Sequence, residues 1–259
     1  MRIMTANIWG DYFGNAVSAR EDDMFKVFDE YKPDVIGMQE VTPNWYAGSL
    51  FKNLSGEYNF SGTEIYNSAN YVPLAYRKGL KLLAKGNEPV AVEAGVTKEL
   101  TWAVLEREDS KVFGVVNAHY WYMKRGDVDN LLRDKNALQS VELIKYINGR
   151  FHCPVFFIGD LNCTMSSSVF TSIFASANVK HAYDLAEIKD DIKSHHGNPV
   201  VDENGKYHGK TTDLDHTHSI DHIMAYGNGY EIKAFKVITD QYALDATDHS
   251  PVYADIELL

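Results

Sequence analysis

Residues 154–162 read PVFFIGDLN. From Val155 to Ile158 the run is wholly apolar, with none of the alternation that marks a strand with one wet face, so it predicts a strand buried on both sides. The pattern breaks at Gly159, and Asp160 and Asn162 follow at the strand exit. Upstream, Val128, Leu131, Leu132, Leu138, Val141, Ile144 and Ile147 recur at helical spacing and predict an amphipathic helix lying on one face of the sheet. Further upstream, the strand candidates YVPLAYR (71–77), LKLLAK (80–85), TWAVLERE (101–108) and KVFGVVNAHY (111–120) are separated by short polar turns, which suits antiparallel neighbours.

The chain opens with another strand pattern, RIMTANIW (2–9), then a polar loop through Asp11 and Gly14 and a helical stretch from about Ser18 to Tyr31 that Pro33 stops. DVIGMQEV (34–41) is a short β-rich run whose Glu40 falls at the strand end. Beyond residue 162, a helical pattern covers Val169 to Ala177, and the polar segment from Ser194 to His216, with Gly197, Pro199, Gly205 and Gly209, reads as a long loop or hairpin. The strands HSIDHIMAY (218–226), YEIKAFKVI (230–238) and PVYADIEL (251–258) finish the chain. No repeat of 20 to 50 residues is present by inspection. Strand-rich halves with helices at intervals predict an α+β fold of two packed sheets flanked by helices, a four-layer α/β/β/α sandwich.

At 259 residues and 45% apolar content the chain can bury one substantial core, so residues 1–259 are expected to form one domain, and a monomer is expected. With 25 basic and 36 acidic residues the net charge is −11, a field that repels long nucleic acids and anionic membranes and favours a small phosphorylated substrate. No run approaches the roughly 20 apolar residues of a membrane-spanning helix, and MRIMTANIWG lacks the tract of a signal peptide. Localisation stays open between the cytoplasm and, had a leader been removed, secretion. Two cysteines, Cys153 and Cys163, suit a reducing compartment, although a bridge between them is not excluded by the sequence.

Asn7, Glu40, His119, Asp160, Asn162, Asp221, Asp248 and His249 each interrupt an apolar run abruptly. Singly, each has a bland reading: Glu40 in the first turn of a helix, Asp160 and Asn162 in turn chemistry, Asp248 as a local cap. Jointly they are the set that phosphoester hydrolysis requires, because a catalyst must neutralise phosphoryl oxygens, position water and stabilise the leaving oxygen. Glu40 is the best single candidate for a hard cation such as Mg²⁺, which keeps several waters and needs one or two carboxylates; Asp248 is its candidate partner. His249 can move a proton near neutrality, with Asp221 to fix its tautomer.

The motifs ANIWG (6–10), MQEV (38–41), NAHY (117–120), IGDLN (158–162), SIDHI (219–223) and TDHSPV (247–252), in that order and spacing, resemble the endonuclease/exonuclease/phosphatase superfamily, which includes deoxyribonuclease I. The resemblance covers nearly the whole chain and implies a deoxyribonuclease I-like fold and divalent-metal-dependent hydrolysis of phosphate esters, with Mg²⁺ or Mn²⁺ as cofactor. It implies metal-site roles for Asn7, Glu40 and Asp248, a phosphoryl contact for His119, and orientation of water and phosphate by Asp160 and Asn162. Asp221 and His249 match the family's carboxylate–histidine dyad, and the resemblance leaves open which of Asp160 and His249 is the base. Many relatives carry a Glu seven residues before the Arg that matches Arg77, able to pair with the histidine matching His119; here that position is Asn70.

HYWYMKR (119–125) offers Tyr120, Trp121, Tyr122, Lys124 and Arg125 as a stacking rim, against an equal expectation that the aromatics pack in the core. Six of ten histidines fall between His195 and His222 in a spacing that fits no zinc template, so a polar loop near the active site is expected, with one histidine touching substrate; Cys163 reads as a small buried thiol. The rival functions are a DNA or RNA nuclease, which the net charge disfavours, and a catalytically silent protein that binds a phosphorylated ligand or a partner.

Overall fold

Two sheets face one another in the computed structural model, which describes residues 1–62, 70–93, 98–211 and 213–259. The first comprises β1 (Arg2–Asn7), β2 (Val35–Gln39), β3 (Tyr58–Ser61), β4 (Leu74–Arg77), β10 (Ile188–Lys189), β14 (Tyr230–Val237) and β15 (Val252–Leu258), ordered β10-β14-β15-β1-β2-β4-β3. The second comprises β5 (Lys81–Pro89), β6 (Glu99–Glu106), β7 (Val112–His119), β8 (Val155–Asp160), β9 (Lys180–His181) and β13 (Asp221–Tyr226), ordered β5-β6-β7-β8-β13-β9. A hairpin of β11 (Val200–Val201) and β12 (Tyr207–His208) lies within the polar Ser194–His216 segment.

The inner faces interleave Ile3, Val35, Phe156, Ile158, Ile223 and Val252 into one core. Outside the first sheet, α1 (Glu21–Tyr31) and α3 (Gln241–Ala246) bury Met24, Phe28 and Ala243 against Met4 and Ile36. Outside the second, α2 (Asp127–Phe151) buries Ala137, Ile144 and Ile147 against Val116 and Phe157. The result is the expected α+β sandwich of helix, sheet, sheet and helix. Each fully buried large apolar side chain contributes roughly 1.5–3 kcal/mol, so a truncation such as Phe156→Ala removes a substantial part of a domain's net stability. Both cysteines are free and buried.

The helix over 127–151 differs from its expected amphipathicity. Val128, Leu131 and Leu138 are exposed, whereas Asp129, Arg133, Asn136 and Ser140 face inward. The cause is the loop after β7. Asp129 accepts from Trp121 Nε1 at 2.7 Å, Arg133 donates to the carbonyls of Trp121 and Met123, and Asn136 Oδ1 accepts from the Trp121 backbone N–H. Apolar spacing cannot report a face that is polar because it binds backbone. The same contacts bury Tyr120 and Trp121, so they pack inside and do not line a rim; Tyr122 stays half exposed.

Three strand pairs run parallel, β1 with β2, β7 with β8 and β10 with β14, and the position of the site follows from the first two. Gly159 lies opposite Ala118, and a Cβ there would meet the Ala118 carbonyl oxygen at 2.0 Å, so only glycine lets these strands close up.

Candidate active site

Parallel strands end on the same side of a sheet, and side chains just past those ends gather at one edge. In the second sheet His119 ends β7 directly opposite Asp160 at the end of β8, and antiparallel β13 begins with Asp221 opposite Asp160. In the first, Asn7 ends β1 opposite Gln39, and Glu40 follows. Asp248 and His249 precede β15; Thr247 Oγ1 donates to the Asn7 carbonyl at 2.7 Å and accepts from the His249 backbone N–H at 3.2 Å. Glu40 and Asn162, both just beyond a strand, have φ of 60° and 51°. Non-glycine residues rarely adopt this left-handed region, and such strain concentrates at functional sites.

Contacts across the sandwich join the two groups. Asp160 accepts from Asn7 Nδ2 at 3.1 Å through Oδ2 and from the Asn162 backbone N–H at 2.9 Å through Oδ1. Its Oδ2 lies 3.5 Å from His119 Nε2 and 3.9 Å from His249 Nε2. His249 Nδ1 is 2.8 Å from Asp221 Oδ2, which also accepts from Ser194 Oγ at 2.6 Å. His249 Nε2 lies 3.9 Å from Asp248, whose other oxygen is 3.9 Å from His195 Nε2. Glu40 accepts from the Gly10 backbone N–H at 2.8 Å, and its field acts on Asp248. Seven of the eight residues singled out in the sequence are thus joined through short contacts at one rim, and the charge of Glu40 acts on Asp248 there.

Burial and charge set their protonation. Burial pushes Asp160 up to about 7, and Asp221 adds to this while His249 opposes it. Burial alone would lower His249, but Asp221, Asp248 and Asp160 outweigh it and hold the imidazolium well above the usual histidine range. For Asp221 the burial penalty is outweighed by His249 and by hydrogen bonds, so its carboxyl sits low. Burial pushes Asp248 up to about 6, with Glu40 reinforcing and His249 opposing. His119 is driven well below its ordinary value by burial, Lys98 and His249.

Asp221 Oδ1 and Asp248 Oδ1 are buried with no hydrogen-bond partner among the described residues. Two donor groups, His195 with Asp248 and His249, and Asp160 with Asp221 and His249, each have ligand atoms within 4.8 Å of one another. Because His249 is held protonated, its nitrogens are not free to ligate, and the unpartnered Asp248 oxygen, in the field of the Glu40 carboxylate, is the donor that fits a divalent cation.

Three contributors escaped the sequence reading, and a fourth, His195, was expected only as one histidine of a loop near the site. Arg20, which interrupts the predicted Ser18–Tyr31 helix, is fully buried; it donates to the carbonyls of Ile8, Trp9, Asn15, Ala16 and Ala246 and fixes the loop behind Glu40. Ser194 orients Asp221, and His195 packs against His249 with ring centroids 4.6 Å apart. Lys98 reaches the carbonyls that follow His119. A signal existed for Lys98: an antiparallel strand begins at the edge where its neighbour ends. Asn70 does not reach His119 by a hydrogen bond; its amide donates to Thr101 Oγ1 and its oxygen accepts from the Val72 backbone N–H.

The sequence profile of the endonuclease/exonuclease/phosphatase family matches residues 4–249. The chain belongs to this family. Similar solved structures include an endonuclease/exonuclease/phosphatase from Bacteroides vulgatus, with a TM-score of 0.80, 23% identity and coverage of 100% of this chain and 98% of that one. A mannosyl-6-phosphatase from Bacteroides thetaiotaomicron is similar at a TM-score of 0.79 and 16% identity over 100% of both chains. The human Nocturnin catalytic domain with bound sulfate is similar at a TM-score of 0.74 and 17% identity, covering 100% of this chain and 94% of that one. At these identities the likeness concerns the fold, which is deoxyribonuclease I-like. Among curated protein sequences none matches. Family members hydrolyse phosphate esters, and no helix among the described residues is long and apolar enough to cross a membrane.

Proposed function

We propose that the chain is a divalent-metal-dependent hydrolase of phosphate esters acting on a small or lipid-derived phosphorylated substrate. The observation that carries this reading is one carboxylate, Asp160, held by Asn7 and the Asn162 backbone while two imidazoles, His119 and His249, stand within 3.5 and 3.9 Å of it.

Asp160 is the base in this reading. Its hydrogen bonds from Asn7 and Asn162 leave each oxygen a further lone pair for a water proton, and its ionisation near neutrality suits proton transfer. His249, cationic and oriented through Nδ1 by Asp221, presents Nε2–H to a phosphoryl oxygen as negative charge develops. The neutral His119 ring and the Asn162 amide bind the same group, and Asp221 keeps His249 charged. Glu40 and Asp248, with Asn7, would hold Mg²⁺ or Mn²⁺. Bound there, the cation supplies charge that offsets the phosphoryl oxygens and favours ionised carboxylates. The net charge of −11 supports a small substrate over long nucleic acid.

The test is hydrolysis of a panel of nitrophenyl phosphates, sugar phosphates, inositol phosphates, sphingomyelin and duplex DNA, with chelator and with Mg²⁺ or Mn²⁺ restored. The expected result is metal-restored turnover of a small or lipid phosphoester that Asp160→Asn lowers by about 10³-fold. Metal binding with no hydrolysis across the panel contradicts the reading and favours a silent binding protein. DNA cleavage alone, falling steeply with salt, favours a nuclease.

A further inference from the structure

Lys98 reaches the His119 and Tyr120 carbonyls and lowers His119, but has no contact with substrate in the roles described above. It immediately precedes β6, whose Leu100 faces Ala118, so Lys98 is level with the residues that follow the end of β7. Its Nζ donates to the His119 carbonyl at 3.2 Å and to the Tyr120 carbonyl at 2.7 Å. The Tyr120 oxygen also accepts from Asn162 Nδ2 at 3.4 Å, so the ammonium and the Asn162 amide stand side by side on one acceptor. The Tyr120 backbone N–H donates to the Asp160 carbonyl at 3.0 Å, which ties this peptide to the strand carrying Asp160. Lys98 therefore stands at the phosphate-binding edge.

An ammonium has three donors, and the two carbonyls use two of them. Among the described residues no carboxylate lies within the 4.0 Å ion-pair distance of Nζ. A desolvated cation is costly unless opposite charge compensates it, so an anion held at this edge would be stabilised by the ammonium. Burial pushes the ammonium down to about 8 against the opposing fields of Asp160 and Glu40, so both site carboxylates act on it.

We propose that Lys98 contacts the substrate's phosphoryl group and gives the site a preference for phosphomonoester dianions over phosphodiester monoanions. The inference rests on the hydrolase reading above and narrows its substrate class. Glu40, Asp160, Asp221 and Asp248 confront an incoming phosphate with acidic charge, and the repulsion is greater for a dianion than for a monoanion. A fixed ammonium beside the Asn162 amide offsets that difference, because the charge-assisted hydrogen bond it donates strengthens with the acceptor's charge.

The experiment compares kcat/KM for 4-nitrophenyl phosphate and methyl 4-nitrophenyl phosphate, which share a leaving group and differ in charge, using the full chain with Mn²⁺. Lys98→Gln retains donors for the two carbonyls and removes the charge. Lys98→Arg retains the charge, and thermal melts establish that each variant is folded. The expected result is a wild-type preference for the monoester that Lys98→Gln lowers by about 10²-fold and Lys98→Arg largely retains. The wild-type preference should also fall as pH drops through the second phosphate ionisation near about 6, a step that is lost in Lys98→Gln. Equal losses on both esters in Lys98→Gln, or a wild-type preference for the diester, overturn the inference while leaving the hydrolase reading intact. Hydrolysis of neither ester, nor of any other member of the panel, overturns both.

Discussion

Two clusters of buried imidazoles differ in one ring: His249 is held as a cation, whereas the others, His119 included, are pushed down towards the neutral form. One holds His119 and His249 among Asp160, Asp221 and Asp248. The other holds His181, His216 and His222 beside Tyr183 and Phe235. In the second, hydrogen bonds fix the tautomers: His222 Nε2–H donates to the Cys163 carbonyl at 2.9 Å, so its Nδ1 accepts from His181 Nε2–H at 2.9 Å. His181 Nδ1 in turn accepts from the Tyr183 backbone N–H at 3.0 Å. Every donor and acceptor in that chain is used with both rings neutral, and burial holds His222 and His216 at about 4. Burial is common to both clusters, so the partners decide. Carboxylates make His249 a cation fit for chemistry, whereas carbonyls and other rings make His181 and His222 structural pieces.

The sharpest way to break this comparison is to remove one ring from each cluster. His249→Ala should lower turnover by about 10³-fold while the chain remains folded, measured by steady-state rates and a thermal melt. A near-normal rate would leave the carboxylate-flanked cluster without a catalytic role.

Acid pH should separate the clusters next. His222 is held at about 4 against about 6.5 in the unfolded chain. A depressed histidine contributes stability that is complete above the unfolded value and is lost as pH falls towards the folded one. Denaturant unfolding should therefore show roughly 3 kcal/mol lost from this ring between pH ~6.5 and ~4. Over part of that range the rate also falls, because Asp160 must be ionised to act, with an acid limb at or below about 7 once a cation favours the carboxylate. Flat stability across the window would mean that the His222 ring is not buried as a neutral base.

His181→Leu should cost roughly 1–3 kcal/mol by leaving the Tyr183 N–H and His222 Nδ1 without partners, with kcat changed less than about 10-fold. Smaller in stability but larger in rate is the effect of Ser194→Ala, which removes one of the hydrogen bonds to Asp221 and should lower kcat about 10-fold, chiefly by loosening His249. An effect of His181→Leu on turnover as large as that of His249→Ala would erase the distinction.

The sequence made the rim legible because polar residues at the ends of apolar strands stand out: the breaks after Ile158, Met38 and Ala118 announced Asp160, Glu40 and His119. Register then brought them together, through parallel pairing that local patterns do not encode. The inward face of the helix over 127–151 was misread because Asp129, Arg133 and Asn136 are buried by their bonds to the preceding loop, which apolar periodicity does not register. The histidine-rich segment divided for a similar reason. His195 joins the rim by a β-bridge to His249, while His222, beside Asp221 in the same strand, points its ring the other way, towards His181 and the Cys163 carbonyl. Adjacent letters on a strand face opposite sides, and the sequence alone did not say which side held the carboxylates.

The proposed cation site of Glu40 and Asp248, two residues far apart in the sequence that flank strands of the first sheet, is most directly tested by calorimetric titration of Mn²⁺ into the wild-type chain, Glu40→Gln and Asp248→Asn. The account predicts a binding event in the wild type that both variants weaken at least about 10-fold, since Glu40 reaches the rim from β2 and Asp248 from the segment before β15. Unaltered binding in either variant would contradict it.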